Sequence, residues 1–114
     1  MLGRVDSIGH RPEAARKVVR ALLRAEQHAL SQPDDAMRIV SRELDLALPE
    51  LRAHWADVDF RVDLRQSQLV TWEDEARWAQ ARGHVDPGPM PNFLRYADMD
   101  ALKASRADRV TIVH

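Results

Sequence analysis

Histidine and carboxylate side chains are the groups in this chain that could support metal or acid–base chemistry. Two histidines four residues apart on one helix would favour a zinc site, but no pair has that spacing and no cysteine accompanies them. A zinc site would therefore have to be assembled entirely by the tertiary fold. The five histidines are His10, His28, His54, His84 and His114.

Neighbouring carboxylates occur at Asp34-Asp35 and at Glu73-Asp74-Glu75. Such groups can exchange protons with a substrate, yet both sets lie where first-turn acids or exposed helix acids are expected. Ser67 has no base near it in the sequence, and the few glycines form no phosphate-binding loop. We therefore predict no catalytic residue, no metal ligand and no cofactor, identify no ligand-binding residue, and do not expect an enzyme.

Length and composition limit the classes of protein that remain. The chain has 114 residues, of which 31% are charged and 45% hydrophobic, which is typical of one small globular domain. The net charge of −1 and the scattered arginines do not favour nucleic acid as a partner. No apolar run is long enough to insert into a membrane. Residues 1–6 lack the basic-then-apolar layout of a secretion signal, and without cysteine there is no thiolate chemistry.

Three prolines, Pro12, Pro33 and Pro49, each precede an acidic residue and an apolar run with helical spacing. Proline suits a first helical turn because its missing N–H would be unpaired there, and the acids complement the positive end of the helix. This pattern predicts helices at about 12–31, 33–44 and 49–56. The predicted inner stripe of the first helix is Ala15, Val18, Val19, Leu22, Ala25 and Ala29.

A fourth helix is predicted at about 64–82, with Asp63 as its N-cap and Gly83 as its C-terminal stop. Trp72 and Trp78 lie six residues apart on it, so at about 100° per residue their side chains point about 120° apart. Trp72 is expected on the buried stripe. Trp78 is expected to contact Leu64, Val70 or the turn beyond Gly83.

The rest of the chain is predicted to be a proline-rich connector at 84–91 and a carboxy-terminal tail at 92–114. Asn92 is a candidate cap for a short turn, and Val110–Val113 is typical of a short terminal strand. The predicted fold is therefore mainly α, with four helices in a single helical domain or fragment over 1–114.

Seven pieces of the chain also carry a family resemblance through their residue types and their order. They are the helical runs beginning Pro12-Glu13 and Pro33-Asp34-Asp35, then Asp63-Leu64-Arg65-Gln66-Ser67, Asp74-Glu75-Ala76-Arg77-Trp78-Ala79, Pro91-Asn92-Phe93-Leu94-Arg95-Tyr96, Ala101-Leu102-Lys103-Ala104 and Val110-Thr111-Ile112-Val113-His114.

This order resembles the carboxy-terminal third of the periplasmic solute-binding proteins of ABC importers for nitrate, sulfonates, taurine and thiamine precursors. The resemblance covers nearly all of the chain from Pro12 onward. It implies part of an α/β type II periplasmic-binding-protein fold, a periplasmic location, and an importer for a small, often anionic solute. The implied partners are the amino-terminal lobes and the ABC permease. The residues that bind solute in this family lie mostly in those lobes, so none is assigned here and no complete binding site is expected.

A free-standing helical module for protein–protein interaction is the alternative interpretation. Helices that brace a larger body carry more apolar surface than they can bury among themselves, so the resemblance leads us to expect that the isolated chain forms a homodimer. The expected interface uses the first and fourth predicted helices or exchanged carboxy-terminal tails. The candidate side chains are Leu23, Leu30, Trp78, Phe93, Leu94 and Tyr96.

Overall fold

A computed structural model describes residues 2–114 and divides the chain into two compact units, residues 1–62 and residues 63–114. The described residues are mainly helical and contain no sheet. The first unit holds α1 (Val5–His10), α2 (Pro12–Ser31), α3 (Pro33–Leu44), α4 (Leu48–His54) and a 3-10 turn at Trp55–Asp57. The second holds α5 (Gln66–Ala81), α6 (Asp100–Arg106) and 3-10 turns at Phe93–Tyr96 and Ala107–Arg109.

Proline lies in the first turn of α2, α3 and α4, the position at which its fixed φ and missing N–H cost least. The bounds of α2 and α3 coincide with the predicted 12–31 and 33–44. The third predicted helix, 49–56, is α4 followed by the 3-10 turn. Helix α1 was not predicted from the sequence.

Helix α5 begins later than the predicted residue 64 because the cap lies elsewhere. The backbone N–H of Arg65 donates to Oε1 of Gln68 at 2.7 Å, which makes Arg65 the N-cap. The carboxylate of the predicted cap, Asp63, instead accepts from the Arg65 side chain. At the other end, Gly83 has φ of 72°, and the His84 N–H donates to the Ala79 carbonyl at 2.9 Å. This left-handed closure confirms Gly83 as the stop.

The face of α2 that packs in the core of the first unit overlaps the predicted stripe only in part. Val19 and Ala29 are buried as expected, but Val18, Leu22 and Ala25 are exposed. Glu26 is buried in their place, because its Oε2 accepts a hydrogen bond from the Val62 N–H at 3.3 Å. A carboxylate that has a hydrogen-bond partner can be buried, although a hydrophobicity pattern alone predicts that it is exposed. Ala36 and Met37 of α3 complete the buried set, and Leu23, predicted to lie off the stripe, is half-buried.

In the second unit, the prediction of a terminal strand at Val110–Val113 is wrong. The segment makes one isolated parallel bridge, between Leu64 and Val110. The Leu64 N–H donates to the Arg109 carbonyl and the Thr111 N–H donates to the Leu64 carbonyl, both at 2.9 Å. Pairing stops there because α5 begins two residues after Leu64, so no extended backbone remains to continue a ladder.

Beyond the single bridge, contacts of side chains fix the carboxy-terminal segment 111–114 to its unit. Oε1 of Gln66, at the start of α5, accepts from the Val113 N–H at 2.9 Å. Ile112 is buried, together with Leu69 of α5 and Leu102 of α6. The tail therefore contributes one of the three buried apolar side chains of this unit.

The two tryptophans of α5 have different surroundings. Trp72 is half-buried, and its ring lies 6.3 Å from that of Phe93. Trp78 is 55% exposed and lies 5.1 Å from the ring of His84, in the turn beyond Gly83. Of the contacts predicted for Trp78, the structure therefore gives the one with the turn, and it does not bury this indole.

Candidate functional site

The five histidines lie at separate places. His10 ends α1, His54 lies 3.9 Å from Asp57, and His84 contacts Trp78. Nδ1 of His114 lies 2.8 Å from the Ile112 carbonyl, and its Nε2 lies 2.5 Å from Lys103 Nζ. Within residues 2–114, no three histidine or acidic side chains converge on a point that could hold a metal ion.

His28 on α2 contacts Asp35 on α3. Among the candidate residues from the sequence, and within residues 2–114, this is the one polar contact that joins the two helices. Nε2 of His28 lies 2.8 Å from Oδ2 of Asp35, and the Arg38 guanidinium lies 3.2 Å from the other carboxylate oxygen. The hydrogen bonds from His28 and then from Arg38 lower the pKa of Asp35 below its ordinary value of 3.8. These three side chains, which we call the α2–α3 clasp, link the two helices through polar contacts, and none of them is placed as a nucleophile.

The clasp predicts a specific dependence of stability on pH. Because the pKa of Asp35 is lower in the folded chain, its contribution to stability is fully present above pH 3.8 and is lost as the pH falls through the lowered pKa. Asp35→Asn should therefore lower the urea midpoint at neutral pH, and the difference from the native chain should shrink as the pH falls below 3.8. Asp34→Asn is the matched control, since its carboxylate lies 3.6 Å from Arg52 and does not touch His28. Equal pH dependence of the two variants would contradict the assignment.

Of the acidic candidates on α5, Glu73 and Asp74 are engaged in surface ion pairs, whereas Glu75 is exposed and makes no ion pair within residues 2–114. Arg77 lies 3.3 Å from Glu73 and 2.9 Å from Asp74, spacings of four and three residues along α5. In the second unit, the hydrogen bond from Arg106 lowers the pKa of Asp108 to about 2. Exposed pairs of this kind contribute little to stability.

An open apolar cleft lies between α3 and α4 in the first unit. Its volume is about 360 Å³ and the atoms lining it are apolar. The rings of Trp55 and Phe60 form part of its wall, with their centroids 4.7 Å apart. The other lining residues are Val40, Leu44, Leu46, Leu51, His54 and Val58.

The turn after α3 shapes one side of this cleft. Asp45 adopts the left-handed conformation with φ of 52°, a region that aspartate tolerates better than most residues. The Ser41 hydroxyl then donates to the Leu46 carbonyl at 2.6 Å, and the Leu46 N–H donates to the Ser41 carbonyl at 3.1 Å. These bonds fix the chain where Leu44 and Leu46 both reach the cleft, although both remain exposed.

The surface that lines the cleft is apolar, whereas small-ligand sites combine an apolar lining with a few placed polar groups. The residues next to the lining positions are rich in acid: between residues 40 and 60 there are five carboxylates and two arginines. The acids are Glu43, Asp45, Glu50, Asp57 and Asp59. No spacing in the sequence had indicated this cleft.

Comparisons with protein-family models, with curated proteins and with solved structures find no match to this chain. Among the described helices, none has the length and the apolar character needed to cross a membrane. The geometry of the cleft and the order of the helices are thus the observations from which a function can be argued.

Proposed function

We propose that this chain corresponds to the carboxy-terminal third of the periplasmic solute-binding component of an ABC importer for a small anionic solute of the sulfonate, nitrate or taurine type. The order of elements carries the proposal: two proline-led helices, then α5, the short turn at Phe93–Tyr96, α6 and an extended tail. That order follows the seven sequence pieces that resemble the family. The chain holds no complete solute site in this proposal, and its partners are the amino-terminal lobes and the ABC permease.

Exposed apolar side chains support a bracing role. In the second unit Val70, Trp78, Val85, Tyr96 and Val113 are all exposed. Exposed apolar surface of this kind is typical of segments that pack against another body. In the proposal, that body is the α/β part of the binding protein.

Two measurements test the importer proposal. Calorimetric titration of the isolated chain with nitrate, taurine, alkanesulfonates and pyrimidine precursors should give no saturable heat, whereas the chain joined to the coding sequence upstream of it should bind one of them. Saturable binding by the isolated chain would show that a solute site lies within it. The absence of any in-frame α/β sequence with a secretion signal upstream would overturn the proposal.

A free-standing helical interaction module is the second candidate, and the α3–α4 cleft favours it. A concave, wholly apolar surface with Trp55 and Phe60 in its wall is a common form of site for side chains of a protein partner. This function needs no lobes and no permease, so it is independent of the importer proposal.

The bracing role of the importer proposal predicts self-association of the isolated chain. Leaving several large apolar side chains in water forfeits about 1.5–3 kcal/mol for each one that could be fully buried, and a symmetric dimer covers the same surface twice. Light scattering after size exclusion should therefore give about twice the chain mass of 13.0 kDa. A mass equal to one chain, with no binding of a hydrophobic dye, would mean that the chain closes its own core and would weaken the importer proposal.

A further inference from the structure

Helix α2 presents an exposed face that matches the α3–α4 cleft in chemistry. Val18 and Leu22 are 44% and 39% exposed. Lys17, Arg20 and Arg24 lie beside them, at spacings of three and four residues that place the three basic side chains in one row. The face is therefore apolar along one edge and basic along the other.

The basic row is not used within the chain. Arg16 pairs with Glu13 at 3.4 Å, but Lys17, Arg20 and Arg24 form no ion pair with any of the residues 2–114. Their side chains are exposed, so they are available to an acidic surface.

The cleft carries the complementary charge. Two of the carboxylates along its lining segment, Asp45 and Glu50, make no ion pair within the described part of the chain. Glu50 precedes the lining residue Leu51, and Asp45 lies between the lining residues Leu44 and Leu46. Exposed acidic residues are therefore adjacent in sequence to residues that line the apolar cleft, and we refer to Asp45, Glu50 and Asp57 as its acidic border.

We propose that the α2 face of one copy of this chain docks into the α3–α4 cleft of a second copy. Val18 and Leu22 occupy the cleft, and Lys17, Arg20 and Arg24 lie against its acidic border. Complementary potentials fix the partner and its orientation, while the apolar contact supplies most of the affinity. The inference rests on the second candidate function, an interaction module, and not on the importer resemblance.

Charge reversal on each side of the contact tests the proposal. Arg20→Glu with Arg24→Glu makes the α2 face acidic, and Glu50→Lys with Asp57→Lys makes the cleft border basic. Each variant alone places like charges together in every copy-to-copy contact, so the dissociation constant should rise about tenfold or more. A one-to-one mixture of the two variants pairs an acidic face with a basic cleft and a basic face with an acidic cleft. The mixture should therefore associate about as tightly as the native chain.

Arg82→Glu with Arg95→Glu is the matched control, because it changes the net charge equally at exposed positions of the second unit. It should leave the dissociation constant unchanged, and far-UV circular dichroism should show that every variant keeps its helices. Sedimentation equilibrium at two salt concentrations gives the dissociation constants, and added salt should weaken the native contact.

The outcomes separate this inference from the function on which it rests. Recovery of association in the mixture, and only there, supports the contact. Two results would overturn the α2–cleft contact and leave the interaction module intact. One is a dissociation constant that neither charge reversal changes, and the other is a mixture of the two variants that does not associate. A native chain that is monomeric overturns the α2–cleft contact, and it overturns the interaction module as well if no basic helical peptide binds in its cleft. Binding of a foreign basic helical peptide in the cleft of such a monomer would show that the occupant is another protein.

Discussion

Replacing Leu102 with alanine is expected to lower the free energy of unfolding by about 2–5 kcal/mol, the range for removing a buried leucine side chain. Leu102 is 4% exposed and lies on α6, and Leu69 and Ile112 are the other buried apolar residues of its unit. A core of three such side chains has little stability to lose, since small units are only marginally stable. We therefore expect residues 63–114 to be largely unfolded in this variant.

Urea denaturation followed by circular dichroism measures the effect, and Leu30→Ala is its control. Leu30 is 67% exposed, so the same atoms are removed with little change in burial and the loss should stay within about 0.5 kcal/mol. Equal midpoints for the two variants would contradict the burial of Leu102.

The second large effect is expected at Glu26, the one buried charged residue of the described chain. It is 9% exposed, and its carboxylate accepts from the Val62 N–H. Hydrogen bonds to charged groups contribute about 1.5–3 kcal/mol, and a buried partner left without its acceptor adds a desolvation cost. Glu26→Ala should therefore lower the free energy of unfolding by about 2–3 kcal/mol.

Glu26→Gln separates the hydrogen bond from the charge. Glutamine keeps an oxygen at the same distance along the side chain, so it can still accept from Val62, and the loss should be smaller than with alanine. Amide hydrogen exchange provides the local measurement: the Val62 N–H should lose protection in Glu26→Ala and keep more of it in Glu26→Gln. Unchanged protection in both variants would show that this N–H does not depend on Glu26.

Local signals in the sequence placed the elements whose boundaries depend on a few neighbouring residues. Pro12 and Pro33 marked helix starts because proline is tolerated only in the first turn. Gly83 marked an end because its positive φ is readily adopted by glycine. Asn92 was expected to cap a turn, and its side chain accepts from the Leu94 N–H at 3.2 Å. Each of these signals acts within one helical turn, so a single sequence contains it.

The features that were missed depend on residues far apart in the chain. The buried position of Glu26 depends on Val62, which lies 36 residues away. Val110–Val113 forms no strand because α5 begins at Gln66, so Leu64 is the one residue before that helix that pairs with the segment. The α3–α4 cleft unites residues from Val40 to Phe60, across two helices and a turn. Periodicity within one segment carries no information about any of these.

The distribution of tryptophan gives the chain a built-in optical label for each unit. Trp55 is the only tryptophan of residues 1–62, and it forms part of the cleft wall, whereas Trp72 and Trp78 belong to residues 63–114. Substituting Trp55 with phenylalanine leaves an emission that arises from the second unit alone, and substituting Trp72 and Trp78 leaves an emission from the first. Two sets of spectra from full-length chains can thus resolve whether the units melt together or in sequence, and a blue shift of the Trp55 band would register an apolar group entering the cleft.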